Sequence, residues 1–211
     1  MNFIIRAVND ILKRDFGIPQ GLADRKRVTA LDFATGTGTF LLEIINTILD
    51  EVSEGIRDQV IREHVLKNLY GFEYLIAPYT IAHLKLSQFL RDKGYTLQAG
   101  ERLQIYLTNT LEPIEPQANW FLPALTREVE EAQKIKDQKV LVITGNPPYS
   151  GHSKNNGKWI SGLIEDYKKV DEQPLGEKNP KWLQDDYVKF IRFAQWKMPD
   201  SPGFSGKISS Y

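Results

Sequence analysis

The sequence predicts an α/β fold built on a mainly parallel sheet flanked by helices, and three observations carry that expectation. Short aliphatic and β-branched runs alternate with stretches of helical periodicity along the first three quarters of the chain. Two of those runs, 28–33 and 139–144, end in glycine- or proline-rich turns of the kind that follow buried strands. Length and composition agree: 211 residues, 41% hydrophobic and 26% charged, suit one globular domain with at most an appendage.

Phe3, Ile4, Ala7, Val8, Ile11 and Leu12 recur at helical spacing, and Gly17 and Pro19 end that helix. A buried strand at 28–33 then runs through a small-residue turn, 34–38, into a helix at 39–50. A second helical stretch, 56–69, leads into a short strand ending Tyr70-Gly71-Phe72-Glu73. Pro78 suits the start of the next helix, with Ile81, Leu84, Leu86, Phe89 and Leu90 facing inward. A third strand is expected at 104–108, then a three-proline loop at 112–123 and a charged helix at 124–136. After the fourth strand, 139–144, the Ser, Gly, Asn and Lys of 150–158 read as a mobile loop. A helical pattern returns at 185–198, and 199–211 has no periodicity. The expected organisation is an N-terminal helix and linker (1–27), a core (28–149), and a loop, helix and frayed tail (150–211).

With no Cys, disulfides and thiolate zinc sites are excluded, and His64, His83 and His152 lie too far apart to suggest a local metal cluster, so no metal is expected. Lys plus Arg (27) equals Asp plus Glu (27), so the chain lacks the basic excess that supplies most non-specific nucleic-acid affinity. Any grip on DNA must be local or supplied elsewhere. No apolar run approaches the roughly 20 residues that span a bilayer, and no export signal opens the chain, so a cytoplasmic protein without a membrane partner is expected.

The first chemical signal is Leu31-Asp32-Phe33-Ala34-Thr35-Gly36-Thr37-Gly38-Thr39-Phe40, a strand entering a helix through two glycines. Glycine lets a ligand approach the main chain where a Cβ would collide, and the free amides of such a turn face outward from the carboxyl end of the strand. A tight strand-to-helix corner alone would use the same residues. A dinucleotide fingerprint would place a third glycine at position 41, which is Leu41, and an acid about 20 residues on. The acid closing the next strand is Glu73, 35 residues after Gly38, and no Gly-Lys-Ser/Thr phosphate loop occurs. Two glycines followed by a ribose-binding acid suit a ligand with ribose and adenine but no pyrophosphate, such as S-adenosylmethionine. Glu73 read plainly is a strand-end surface carboxylate.

The second signal is Asn146-Pro147-Pro148-Tyr149, directly after the fourth strand. With proline near 5% of ordinary sequence, this tetrapeptide arises by chance on the order of once in a thousand such chains. Successive prolines fix φ and make a stiff loop whose carbonyls point one way. An exocyclic amine on a base is a poor nucleophile because its lone pair is delocalised into the ring. Acceptors for both its hydrogens, the Asn146 side-chain oxygen and the Pro147 carbonyl, favour a pyramidal nitrogen with an available lone pair. Tyr149 would stack on a base that has left the duplex.

Asp32-x-Ala34-x-Gly36-Thr37-Gly38-x-Phe40 resembles motif I, and Asn146-Pro147-Pro148-Tyr149 resembles motif IV, of the DNA adenine N6 methyltransferases, in an order similar to the gamma arrangement. The phrases around Phe3 to Val8 and Asp186 to Phe193 look like the methyltransferase segment of long single-chain restriction-modification enzymes. The resemblance implies a partial Rossmann-like, S-adenosylmethionine-dependent methyltransferase fold. It implies cofactor contacts at Asp32, Ala34, Gly36, Thr37, Gly38, Phe40, Glu73, Tyr74, Asn109 and Thr110, and catalysis at Asn146, Pro147, Pro148 and Tyr149. The implied partners are duplex DNA with an extruded adenine and the remaining domains of a longer prokaryotic polypeptide: target recognition, with nuclease and helicase as candidates. Three departures stand out: Phe33 replaces the family's usual Pro, Asn109 replaces the carboxylate common after the third strand, and segments normally found upstream and after Lys197 are missing, as in a fragment. Two alternatives stay open. One is methylation of a protein glutamine, whose enzymes also carry Asn-Pro-Pro-Tyr. The other is a non-catalytic cofactor-binding module.

Overall fold

The computed structural model describes residues 2–113, 123–149, 153–170, 173–174, 176 and 181–198. The loop expected at 112–123 and the tail expected at 199–211 lie largely outside the described residues.

The chain builds a three-layer α/β/α unit. Helix α1 (Asn2–Arg14) precedes strand β1 (Ala30–Asp32), which feeds α2 (Thr39–Asp50). A helical run, α3, is α-helical at Arg57–Val60 and Leu66–Asn68 with a π-helical turn, Ile61–Val65, between them. Then come β2 (Leu69–Glu73), α4 (Ile76–Asp92), β3 (Gln104–Leu107), α5 (Pro123–Asp137) and β4 (Val142–Thr144). After the sheet come α6 (Lys158–Glu165), a two-stranded antiparallel ribbon of β5 (Lys169–Val170) and β6 (Gln173–Pro174), and α7 (Asp186–Lys197).

The main sheet has the order β3-β2-β1-β4, all parallel, with Asp32 level with Gly71 on one side and Thr144 on the other. Successive strand residues point to opposite faces, so the sheet divides the core. Ala30, Leu69, Ile105 and Val142 pack with α1 to α4, whereas Leu31, Tyr70, Phe72 and Tyr106 pack with Ala132, Ile160, Phe190 and Phe193 of α5, α6 and α7. Helix α2 buries six of its residues, among them Ile44, Ile45 and Ile48 at 0–1% exposure, and truncating one of these to Ala removes about 2–5 kcal/mol.

Two helices present faces other than those their hydrophobicity predicts. In α1 the buried residues are Ile5, Asn9 and Leu12, while Phe3, Ile4 and Ile11 are exposed. Asn9 is drawn inside because its Oδ1 accepts from the Leu22 amide at 2.8 Å and its Nδ2 donates to Glu51 at 3.0 Å. In α4 the inward line runs through Ala82, Leu86 and Leu90, and Ile81 and Leu84 are exposed. A Cβ on Gly38 would lie 3.2 Å from that of Ala82, so small residues bring α4 against the turn after β1 and set its rotation. Residues 15–27 are packed rather than loose: Ile18 and Leu22 are in the core, and the buried His64 of the π-helical turn holds the Leu22 carbonyl at 2.8 Å. The described part of the 150–158 loop is also pinned, by α7, and α6 forms where the sequence suggested no helix.

Candidate functional site

In a doubly wound sheet, ligands bind beyond the carboxyl ends of the strands where the strand order reverses. Here the chain runs outward from β1 through β2 to β3 and then returns to β4 on the opposite side of β1, so the turns after β1 and β4 flank that point.

The turn after β1 is tied down from below. The Thr35 amide donates to the Phe72 carbonyl at 2.9 Å and its hydroxyl to the Asp32 carbonyl at 3.0 Å. Gly36 and Gly38 both have positive φ, +55° and +77°, which favours glycine at each. They differ in surroundings: a Cβ on Gly36 would meet nothing within 4 Å, whereas Gly38 is pressed against Ala82 and Leu86. Gly36 faces open space and Gly38 serves packing. Asp32 is fully buried beneath the turn, with Oδ1 accepting from the Ala34 amide at 3.2 Å and Oδ2 without a partner among the described residues. Burial pushes its carboxyl up to about 7, with the nearby Glu73 charge adding to the rise.

Glu73, at the end of β2, stands over this turn. Its Oε2 accepts from the Gly36 amide and its Oε1 from the Leu75 amide, both at 2.8 Å. Each carboxylate oxygen keeps a further lone pair for a donor in the adjoining space. The loop after β3 forms the next wall. Asn109 Oδ1 accepts from the Leu111 amide at 3.1 Å, and Thr110 donates to the Phe33 carbonyl at 2.6 Å. Lys136 of α5, 3% exposed, braces this loop by donating to Thr108 Oγ1 at 3.2 Å, to the Asn109 carbonyl and to the Glu112 carbonyl at 2.7 Å. Burial pushes its amine down to about 7, while three acceptors around Nζ suit the three protons of an ammonium. The sequence marks α5 only as a charged helix, and no spacing signal singles out this lysine.

The Asn146-Pro147-Pro148-Tyr149 loop follows β4. A Cβ at Gly145 would come within 2.8 Å of the Phe33 ring, so the two turns touch. Phe33 also packs on Phe190 of α7 with ring centroids 5.1 Å apart. Asn146 and Pro148 are exposed and Pro147 is buried. Tyr149, 76% exposed, donates weakly to Asn146 Oδ1 at 3.4 Å and stacks on Tyr187 of α7 at 5.5 Å and 24°. Behind the loop, Asn109 Nδ2 donates to Asn155 Oδ1 at 2.8 Å, and Asn155 Nδ2 donates to Asp186 Oδ1 at 2.9 Å. Fully buried Lys189 donates to Ser153 Oγ at 2.8 Å and to the Asn155 carbonyl at 2.6 Å.

These walls enclose a cleft of about 530 Å³. It brings together Ala34, Gly36, Glu73, Tyr74, Asn109, Thr110, Asn146 and Pro148 from the sequence reading. Asp32 lies beneath it, Phe40 is buried in the core at 7% exposure, and Thr37, Gly38, Pro147 and Tyr149 are not among its lining residues. The structure adds Phe33, Asn155, Asp186 and Phe190, of which Phe33, Asp186 and Phe190 fell inside quoted phrases without a ligand-binding role. Among the described residues no helix is long and apolar enough to cross a membrane, and no group of three or more His, Asp or Glu is placed to hold a metal ion.

The four-stranded parallel sheet, its flanking helices and the cleft at the strand-order reversal define a Rossmann-like methyltransferase fold. Among solved structures the chain is similar to a nuclease-deletion mutant of the Type ISP restriction-modification enzyme LlaGI in complex with a DNA substrate mimic, with a TM-score of 0.74 and 25% identity over 93% of this chain and 16% of that one. It is similar to the ATP-dependent Type ISP restriction-modification enzyme LlaBIII bound to DNA (TM-score 0.73, 25% identity, 94% and 13%) and to DrdV in a DNA complex (TM-score 0.70, 27% identity, 94% and 18%). The chain therefore spans less than a fifth of the length of each of these proteins. No protein-family model matches the sequence, and no curated protein matches it.

Proposed function

We propose that the chain is the S-adenosylmethionine-binding and catalytic part of a DNA methyltransferase, acting within a restriction-modification enzyme on the N6 amine of an adenine extruded from the duplex. The observation that carries this reading is that Glu73 and Asn146 line one cleft from opposite sides of β1. The residues present fit the cofactor. Glu73 has lone pairs to spare for a ribose diol, Gly36 faces open space, and 530 Å³ lies within the usual range for a small-molecule site.

S-adenosylmethionine supplies an electrophilic methyl group on a sulfonium. The chain's part is to orient and to hold protons. Asn146 Oδ1 and the Pro147 carbonyl accept from the two amine hydrogens, so that the nitrogen lone pair is free to point along the line of transfer. The 3.4 Å contact from the Tyr149 hydroxyl to Asn146 Oδ1 is weak enough to yield to that amine. Tyr149, mostly exposed, offers its ring to the base. The likeness to restriction-modification enzymes solved with DNA supports DNA over protein as the substrate and supports further domains as partners.

The test is transfer of labelled methyl from S-adenosylmethionine to duplex DNA and to protein, with the modified residue identified after digestion. N6-methyladenine is expected. Label on a protein glutamine would replace this reading with the amide-methylating one, and cofactor binding without transfer to either, in the longer polypeptide, would favour a non-catalytic module.

A further inference from the structure

Asp186, the first residue of α7, is 7% exposed and its carboxylate is only half used. Oδ1 accepts from the Ser153 hydroxyl and from Asn155 Nδ2, and Oδ2 has no partner among the described residues. The side chain lines the cleft. Its charge is balanced nearby: Lys189 Nζ donates to Ser153 Oγ, the same hydroxyl that donates to Asp186. The amide chain Asn109 to Asn155 to Asp186 runs in one direction, each Nδ2 donating to the next oxygen, and so leaves a pure acceptor at its end. A carboxylate oxygen with no hydrogen bond of its own, on a side chain that lines a cavity, is an acceptor that a ligand's donor can meet.

We propose that Asp186 Oδ2 is the acceptor for the exocyclic amine of an adenine ring bound in this cleft. The amine carries two protons and a delocalised lone pair, so a carboxylate oxygen matches it, whereas a ring bearing a 6-oxo group would set lone pairs against lone pairs. The proposal rests on the methyltransferase reading, and the ring is that of the cofactor, because under that reading Asn146 Oδ1 and the Pro147 carbonyl already take both amine hydrogens of the target base. Asn155 links Asp186 to Asn109, on the cleft wall formed by the loop after β3.

Asp186→Asn tests this, because the amide oxygen can keep the Ser153 and Asn155 bonds while an amino group replaces the free acceptor. Two ligand pairs are compared on the 211-residue chain and on the variant. S-adenosylhomocysteine against S-inosylhomocysteine, by calorimetry, reports the cofactor ring. Adenosine against purine riboside, by ligand-observed NMR on protein saturated with S-adenosylhomocysteine, is the control for the target base. The native chain should prefer S-adenosylhomocysteine over S-inosylhomocysteine by about 10- to 100-fold, and the variant should lose that preference while the adenosine pair is unchanged. On the native chain alone, the amine protons of a ¹⁵N-labelled ligand should be shifted downfield and slow to exchange, which keeps the test independent of how well the variant folds. An unchanged preference in the S-adenosylhomocysteine pair, a loss confined to the adenosine pair, or fast-exchanging amine protons in bound S-adenosylhomocysteine overturns the assignment while leaving the cofactor reading intact. A native chain that binds neither S-adenosylmethionine nor S-adenosylhomocysteine overturns both.

Discussion

The Gly36 backbone amide donates to the Glu73 carboxylate at 2.8 Å across 37 residues of sequence, so the turn after β1 and the acid ending β2 form one unit. Glu73→Ala removes the acceptor of both Gly36 and Leu75 and the proposed partner of the ribose diol. Affinity for S-adenosylmethionine should fall by about 1.5–3 kcal/mol, read by calorimetry. Unchanged affinity would remove Glu73 from the site.

Asp32 gives a pH prediction. Its carboxyl, near 7 when buried against an ordinary 3.8, keeps a proton in the folded state that the unfolded chain has lost between about pH 4 and 7. The folded state thus binds more protons in that window, and stability falls as pH rises through it. Asp32→Asn, neutral at every pH and still able to accept from Ala34, should raise the urea midpoint at pH 8 by an amount equivalent to roughly 2–4 kcal/mol, with the gain vanishing below about pH 4. A gain independent of pH would show that Asp32 is not the titrating group.

Lys136→Met leaves Thr108 Oγ1 and the carbonyls of Asn109 and Glu112 without their donor. Urea unfolding should show a loss of about 2–4 kcal/mol. Cofactor affinity should also drop, because the loop braced is the cleft wall carrying Asn109 and Thr110.

How far the sequence could be read follows from which interactions leave a pattern in it. Helix α2 was legible residue for residue, since a small-residue turn opens it and apolar residues fill it. The orientation of α4 was not, because Ala82 facing Gly38 carries no hydrophobic signal while exposed Ile81 and Leu84 do. Glycine and proline motifs announced the turns after β1 and β4, whose geometry is local. The buried lysines did not announce themselves: Lys136, Lys189 and Lys197 each bind main-chain carbonyls, and Lys197 holds those of Ile135, Lys136 and Gln138 at the end of α5. Such partners are distant in sequence and carry no side-chain signature. Helix α6 was hidden by Gly162 and by the polar segment before it.

In the catalytically competent polypeptide, Asn146→Ala should lower single-turnover methyl transfer on the order of 100-fold to 1000-fold with little change in cofactor affinity. Tyr149→Ala should cost about 1–3 kcal/mol of base stacking, and Tyr149→Phe should recover most of it. A near-normal rate for Asn146→Ala would reduce the loop to a proline turn.

The central claim, that the cleft between the turns after β1 and β4 holds the methyl donor, is tested most directly by amide NMR of the chain titrated with S-adenosylmethionine. Gly36 and Leu75, whose amides both rest on Glu73, should shift together with the Asn109 side-chain amide along one binding curve. Saturating cofactor that leaves Gly36, Leu75 and Asn109 unmoved, or that shifts residues away from this cleft instead, would contradict the account.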